Sequence, residues 1–437
     1  MSEEAIKQEK FKVGLVFLIG LAFFATEVVW NMYDSQVSIL LKNKFLLSAL
    51  IVGIILGIDN LMGAIIQPIM GNISDNTRTR LGRRMPYIIV GIPLGALFFI
   101  LIAFQTTLIG VIILIFLFIF AMSFFRSQAV ALMPDFIILE HRSKANSIIN
   151  MMGALSVVVA AVISGLLVDI SLQLAFITVA IIMIISLIIL ILTIKEKNSF
   201  SYQLLLKMEA EIGEKVKDKK EKSSLMTSLK DIAKEEDKST LFALLAIFAL
   251  SLGYYGVRAF VTVYATIILG ATPGQAGFLL FYVGLTFIIA AFPLAILAEK
   301  FGRRLFIKIG LAIFASALIL GYFFQTMEFI IFVLILVGIG YACVIVNTIV
   351  LIWGMAPSAK KIGTYTGVYY AFSFSAAFLG PIIFGAFMDW IGWNYFMLVC
   401  AFFLIISFIL MFFVKREVAE LSEEEKLAKR KAIQELY

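Results

Sequence analysis

Glu27, Asp59, Arg126 and Arg258 stand inside long apolar runs, and Asp34 stands at the rim of one. An ionisable side chain at membrane depth costs about 2.5–3.5 kcal/mol on insertion scales, so it faces a cavity or a partner. Glu27, Asn31 and Asp34 recur at i, i+4 and i+7, which sets them on one helical face with Trp30 beside it. Asp59, Gly63 and Gln67 share a second face, and Asn146 and Asn150 share a third. Carboxylates at such depth can take up and release a cation, which makes Glu27, Asp34 and Asp59 the candidates for coupling. Trp30, Asn31, Gln67, Arg126, Asn150 and Arg258 offer donors, acceptors and an aromatic surface, the set that a polyhydroxylated molecule requires. Plainer readings stand beside these. Asp59 could be a strut paired with an arginine, Asp34 a solvated group, Trp30 an interfacial anchor or packing residue, and Asn146 a helix cap. His141 lies in a basic loop and is read as inert.

The elements that carry these residues follow from composition. Hydrophobic residues fill 62% of the 437 positions and charged residues only 15%. A water-soluble protein needs a largely polar surface, so this balance belongs to a membrane protein. Apolar runs fall at 13–33, 49–70, 87–105, 108–133, 146–168, 173–194, 240–268, 276–298, 305–324, 328–352, 364–388 and 391–414. Each is long enough to cross a bilayer and is predicted helical, because lipid offers backbone groups no partner. The period-2 alternation of a membrane barrel is absent. Cys343 and Cys400 lie within apolar runs and read as small buried hydrophobes, with no metal or disulfide implied. The first run has the outline of a leader, but Glu27 interrupts it and no small-residue cleavage site closes it, so it reads as a retained helix.

Charge placement orients the chain. With both termini inside, the outer loops hold only Lys42 and Lys44, and Arg126 and Arg258 lie within helices. Every other Lys and Arg then falls on the cytoplasmic side, a positive-inside pattern that accounts for the net charge of +7 without nucleic acid. Segment 195–239, which contains EKVKDKKEK, is the one long polar stretch and reads as a cytoplasmic linker, solvated or forming a surface helix. It divides a six-helix half, 1–194, from a second, 240–414, followed by a tail, 415–437. A repeat supports the division: Gly82-Arg83-Arg84 recurs at Gly302-Arg303-Arg304, GLLVD ending at Asp169 recurs as GAFMD ending at Asp389, and IKEK from Ile194 recurs as VKRE from Val414, all at an offset of 220. Two such halves predict an all-α polytopic fold with its site between them, near the bilayer midplane.

Gln67–Pro86 reads QPIMGNISDNTRTRLGRRMP, and its Gly71, Asp75, Gly82, Arg83 and Arg84 resemble the signature loop of the major facilitator superfamily. The second copy, AILAEKFGRR, is four residues shorter, with Glu299 in the aspartate's place ahead of Arg303. The first glycine would let helices approach closely, and the charged residues would lock a gate. More finely, DNLMGAIIQPIMGNISDNTRTRLGRRMP (59–86), FRSQAVALMPD (125–135) and RSKANSIINMMGAL (142–155) resemble sucrose/proton symporter-like transporters within the glycoside–pentoside–hexuronide cation symporter group. That resemblance implies import of a disaccharide such as sucrose or maltose, or of a related glycoside, together with a proton. The match departs where the group's ion sites lie. Val130 stands where plant sucrose carriers have arginine, with Arg126 one turn away, and Gly63 and Gln67 stand where melibiose-type relatives carry paired aspartates.

The sequence therefore predicts a multi-pass plasma-membrane importer working as a monomer, with a sugar and a coupling cation as partners and no cofactor. A major facilitator efflux antiporter for drugs or metabolites is the rival. No G-x-x-x-x-G-K-[ST] loop occurs, which disfavours an ATP-driven pump, and no nucleophile–base constellation suggests an enzyme.

Overall fold

The computed structural model describes residues 12–137, 141–212, 232, 237–356 and 362–417. The AIKQEK head, the EKVKDKKEK run and the EEEKLAKRK tail lie outside the described residues. Among the described residues, twelve helices are long and apolar enough to cross a membrane. Six come first: α1 (Val13–Lys44), α2 (Ala49–Asp75), α3 (Met85–Phe104), α4 (Leu108–Phe136), α5 (Lys144–Val168) and α6 (Leu172–Thr193). A shorter helix, α7 (Phe200–Ile212), follows. Then come α8 (Ser239–Ile267), α9 (Pro273–Phe301), α10 (Arg303–Phe323), α11 (Met327–Met355), α12 (Thr364–Ile391) and α13 (Trp393–Leu410).

Local chemistry sets the starts of these helices. Ser48, Thr107, Ser171 and Thr326 each cap a helix by accepting a backbone N–H three residues on. Thr272 forms a full capping box with Gln275, and Pro273 occupies the first turn, where its missing N–H costs nothing. Between α2 and α3 the chain turns at Gly82, whose φ of 115° only glycine adopts freely.

The six-helix halves have the same internal packing. α1 packs on α5 and α6, α2 and α3 on α4, and α3 on α6; α8 packs on α12 and α13, α9 and α10 on α11, and α10 on α13. Aromatic packing fastens the first half, where Phe99 stacks on Phe176 at 4.2 Å and Phe118 touches Phe99, Tyr33 and Trp30. α7 lies against α4 and the turn after α2: Tyr202 is buried with its hydroxyl donating to the Thr79 carbonyl, and Arg78 pairs with Glu209 at 2.7 Å.

The halves meet through exchanged pairs, α2 with α12, α5 with α9, and α1 with α8. Contacts cluster at the end opposite the two Gly-Arg-Arg turns. A side chain added at Gly53 would stand 2.1 Å from the Pro381 carbonyl oxygen, and one at Gly57 2.6 Å from that of Phe378. Continuing this register would bring Leu61 and Ile65 onto Phe374 and Tyr370, yet all four are exposed, Ile65 by 57% and Tyr370 by 47%. α2 and α12 therefore part beyond Gly57. α5 and α9 part likewise: Gly165 meets Phe278 and Gly284 meets Val157, whereas Leu155 and Met151 are exposed. The molecule is a cleft, closed at the far end and open at the end that bears the Gly-Arg-Arg turns.

Candidate functional site

The polar residues singled out in the sequence gather at the apex of this cleft. On α1, Glu27 accepts a bond from Arg126 of α4 at 2.9 Å. Two turns further toward the closed end, Asp34 accepts from Arg258 of α8 at 2.6 Å, an ion pair that joins the halves. Both pairs keep contact with the cleft, since the side chains of Arg126 and Arg258 are 33% and 26% exposed. Beyond Asp34 the α1–α8 contact continues as Ser35 and Ser38 against Thr262.

Asp59 sits two residues past Gly57, where α2 leaves α12. Its carboxylate accepts the backbone N–H and side-chain amide of Asn60, each at 2.6 Å, and forms no ion pair among the described residues. The strut reading of Asp59 thus has no arginine to complete it in this conformation. Gln67 folds back along the same helix, its amide filling the space that a side chain at Gly63 would take, 2.7 Å from that position. The i, i+4, i+8 face is therefore a real surface, with Asp59 and Gln67 half-buried on it.

Other expected binding residues sit differently. Asn31 is buried, and its amide donates to the Glu27 carbonyl and to Ser156 Oγ of α5, fastening α1 to α5. Trp30 is also buried, edge-on to Tyr33 and tilted against Phe118, with the Arg126 guanidinium 5.9 Å from its ring centre. Its ring packs the apex and steadies Arg126 by a cation–π contact. Asn146 and Asn150 are exposed on the stretch of α5 that α9 has released. Val130 is exposed as well, and Arg126 is the nearest cation in that part of α4.

The second half contributes residues that a search for intramembrane charges does not find. Tyr254 and Tyr255 precede Arg258 by one turn on the same face of α8. Tyr254 stacks on Tyr341 of α11 at 4.1 Å, nearly parallel, and Phe287 of α9 adds its ring to Tyr341. Tyr369 and Tyr370 continue the aromatic surface on α12, with Tyr369 within 3.4 Å of the Thr348 hydroxyl. The available signal was the Tyr254/Tyr255/Arg258 spacing, a polar-tipped aromatic pair one turn from a cation in an apolar run.

At the open end the gating residues form a closed network in the first half. Arg83 Nη2 lies 2.5 Å from Asp135, and Arg84 reaches Asp75 at 2.5 Å and Asp135 at 3.2 Å. Glu196 is fully buried and accepts the backbone N–H groups of Arg83, Arg84 and Met85 at 2.8–3.0 Å, capping α3. Burial raises its pKa above the usual glutamate value, and those three donors oppose the rise. The second half copies the cap but not the charges. Glu417 accepts from Arg303 and Arg304 at 3.3 and 3.2 Å, Arg303 bonds the Asn347 amide oxygen at 3.2 Å, and Glu299 is exposed without an ion pair among the described residues. Gly71, expected at a close helix approach, has only Ser127 Oγ within reach, 3.9 Å from an added side chain, so in this conformation it lies on the open face of α2. Asp135, Glu196 and Glu417 were not singled out, although each lies in or beside a segment already notable, FRSQAVALMPD or the IKEK/VKRE repeat.

Comparison with known proteins agrees with this architecture. The family description Major Facilitator Superfamily matches residues 17–268 and 243–436. Among solved structures, the chain is similar to a bacterial homologue of the human lysosomal transporter Spinster in an inward-facing and occupied conformation, at TM-score 0.69 and 13% identity over 93% of this chain and 97% of that one. The nucleoside transporter NupG aligns at TM-score 0.70 and 12% identity, covering 92% of this chain and 100% of its own. The peptide transporter POT in complex with sulfate aligns at 0.69 and 13%, covering 93% and 96%. At such identities the likeness speaks for the fold alone. Matched over most of its length and built of twelve spans in two like halves around a polar apex, the chain belongs to the Major Facilitator Superfamily and is a membrane transporter, not an enzyme.

Proposed function

We propose that this transporter imports a sugar, a disaccharide or related glycoside, together with a proton, and that Asp59 carries the proton. One observation carries the reading: of the three carboxylates at the apex, Glu27 and Asp34 each hold an arginine, while Asp59 has only Asn60 and stands where the cleft begins. A carboxylate engaged by a guanidinium has its oxygens occupied, whereas one that faces an opening and holds no cation can exchange a proton with the water of that side. The sugar reading draws support from the half-exposed arginines and the tyrosine surface of α8, α11 and α12, which together offer donors, acceptors and flat apolar faces. In this reading the Gly-Arg-Arg end is cytoplasmic in the plasma membrane, both termini lie inside, and one chain encloses the whole path.

Each positive charge carried inward gains about 2.3 kcal/mol per 100 mV, enough for roughly 50-fold accumulation of a neutral cargo. The test uses purified protein in liposomes. A thermal-shift screen of mono- and disaccharides first identifies the cargo. Asp59→Asn should then abolish uphill uptake yet preserve exchange of labelled sugar down its own gradient. Normal accumulation by Asp59→Asn would remove the coupling assignment. Proton-driven accumulation of the cargo inside everted vesicles would favour the antiporter instead.

A further inference from the structure

We propose that Asp169 and Asp389 are a matched pair of latches that hold the far end of the cleft shut. Asp389, near the end of α12, accepts the Ala49 and Leu50 backbone N–H groups with its two oxygens, each at 2.8 Å. These are the first two N–H groups of α2, whose cap is Ser48. Asp169, just past α5, accepts the Gly274 N–H at 2.8 Å, and its other oxygen accepts the Thr272 hydroxyl at the start of α9. The two sites correspond position by position. Asp169 and Asp389 close the repeated GLLVD and GAFMD, Thr272 stands in the place of Ser48, and Gly274 in that of Leu50. Pro273 takes the place of Ala49 and has no N–H, so the Thr272 hydroxyl supplies the missing donor.

Each carboxylate belongs to one half and grips a helix of the other. A negative group at a helix N-terminus satisfies unpaired N–H groups and opposes the positive end of the helix dipole. The bonds last only while the halves touch, so they stabilise the closed far end and vanish when it opens. Neighbouring small residues admit the grip. A side chain added at Gly274 would stand 2.6 Å from Asp169 Oδ2, and one at Gly385, a turn before Asp389, 2.2 Å from the Ala49 carbonyl oxygen. Neither latch contacts the polar apex, so the inference holds whatever the cargo or coupling ion.

The test places nitroxide labels on Thr106→Cys and Glu328→Cys, exposed far-end positions in opposite halves. Cys343 and Cys400 are buried and stay unlabelled. Pulsed electron resonance on the reconstituted protein then reads the distance between the halves. Wild type should show mainly the short distance. Asp169→Asn and Asp389→Asn keep the shape but lose the charge and one acceptor, and each should shift the equilibrium about tenfold toward the long distance, the value of one charge-assisted bond. Gly274→Ala, which leaves both charges in place, should shift it in the same direction. If either Asn variant is folded and keeps the wild-type distribution, the paired latch is overturned. If an Asn variant does not fold, Gly274→Ala decides: a wild-type distribution there also overturns it.

Discussion

Arg258 and Asp34 join the halves through one 2.6 Å contact, and both remain in touch with the cleft. Removing one partner of a fully buried pair costs about 3–5 kcal/mol, because the other charge is left without compensation. Cleft water lessens that penalty here, so Arg258→Gln is expected to destabilise the protein by about 1–3 kcal/mol. Asp34→Asn combined with Arg258→Gln should recover part of the loss. A double-mutant cycle on the melting curve in detergent measures the coupling, and additive losses would show that the contact contributes nothing. Residue types were readable in advance because charge in an apolar run is conspicuous: Glu27, Asp59, Arg126 and Arg258 all reach the apex. Partners were not readable. Helical spacing gives a face but not the neighbour it meets, which is why Asn31 belongs to Ser156 and Asp34 to a helix more than 200 positions away. Tyr254 and Tyr341 stayed hidden because an aromatic residue in a membrane helix looks like any other packing group.

The start of α3 depends on Glu196 more than on its own sequence. Three backbone N–H groups converge on that carboxylate, and the amide of Glu196→Gln would point a donor at one of them. The variant should melt several degrees lower, by a loss of about 1–3 kcal/mol. The pH dependence has a definite sign. A carboxyl whose pKa rises on folding binds its proton more tightly in the folded state, so this group adds stability as pH falls toward the ordinary glutamate range. The melting gap between wild type and Glu196→Gln should therefore widen between about pH 7 and pH 5. A gap that narrows would mean that the N–H cage outweighs burial. Gly82 tests the same element sterically. With φ of 115°, and with Glu196 Oε2 2.3 Å from where a side chain would begin, Gly82→Ala meets both strain and collision. Gly302 shares the strained φ but has 3.3 Å of clearance to Glu417, so Gly302→Ala should cost less. Helix existence was legible from run length alone. The caps were not, since Glu196 and Glu417 reach their helices from the far end of each half's chain.

At the scale of the whole molecule, the halves match in packing but not in their open-end charge. Arg83 and Arg84 are held by Asp75 and Asp135, whereas Arg303 has an amide and Glu299 is exposed. The first-half turn is thus the stiffer of the two. Asp75→Asn should loosen it, slowing turnover while leaving cargo affinity within a few-fold. Single-turnover and equilibrium binding measurements separate these effects, and a selective collapse of binding would place the turn in the site. Topology has its own check: a thiol reagent applied from outside intact cells should label a cysteine beside Lys42 but spare a tag on segment 195–239. External labelling of that segment would invert the assignment. The 220-residue repeat made the two-half plan visible before any coordinates, because symmetry shows in spacing. It could not show which end stands open, because one sequence serves both conformations.

The glycine seam between α2 and α12 bears on leakage. At Gly53 and Gly385 a backbone carbonyl oxygen of the opposite helix occupies the volume of a side chain, only 2.1 and 2.2 Å from where a Cβ would stand. A seam with no room for a methyl group has none for a water molecule about 2.8 Å across, so no file of water threads it. Protons hop along files of water, so under the proposed proton coupling a wet closed end would discharge the driving gradient while doing no transport. Backbone-to-backbone closure keeps this seam of the shut end dry. Under the proton coupling proposed above, a dry seam keeps protons from slipping past an idle transporter.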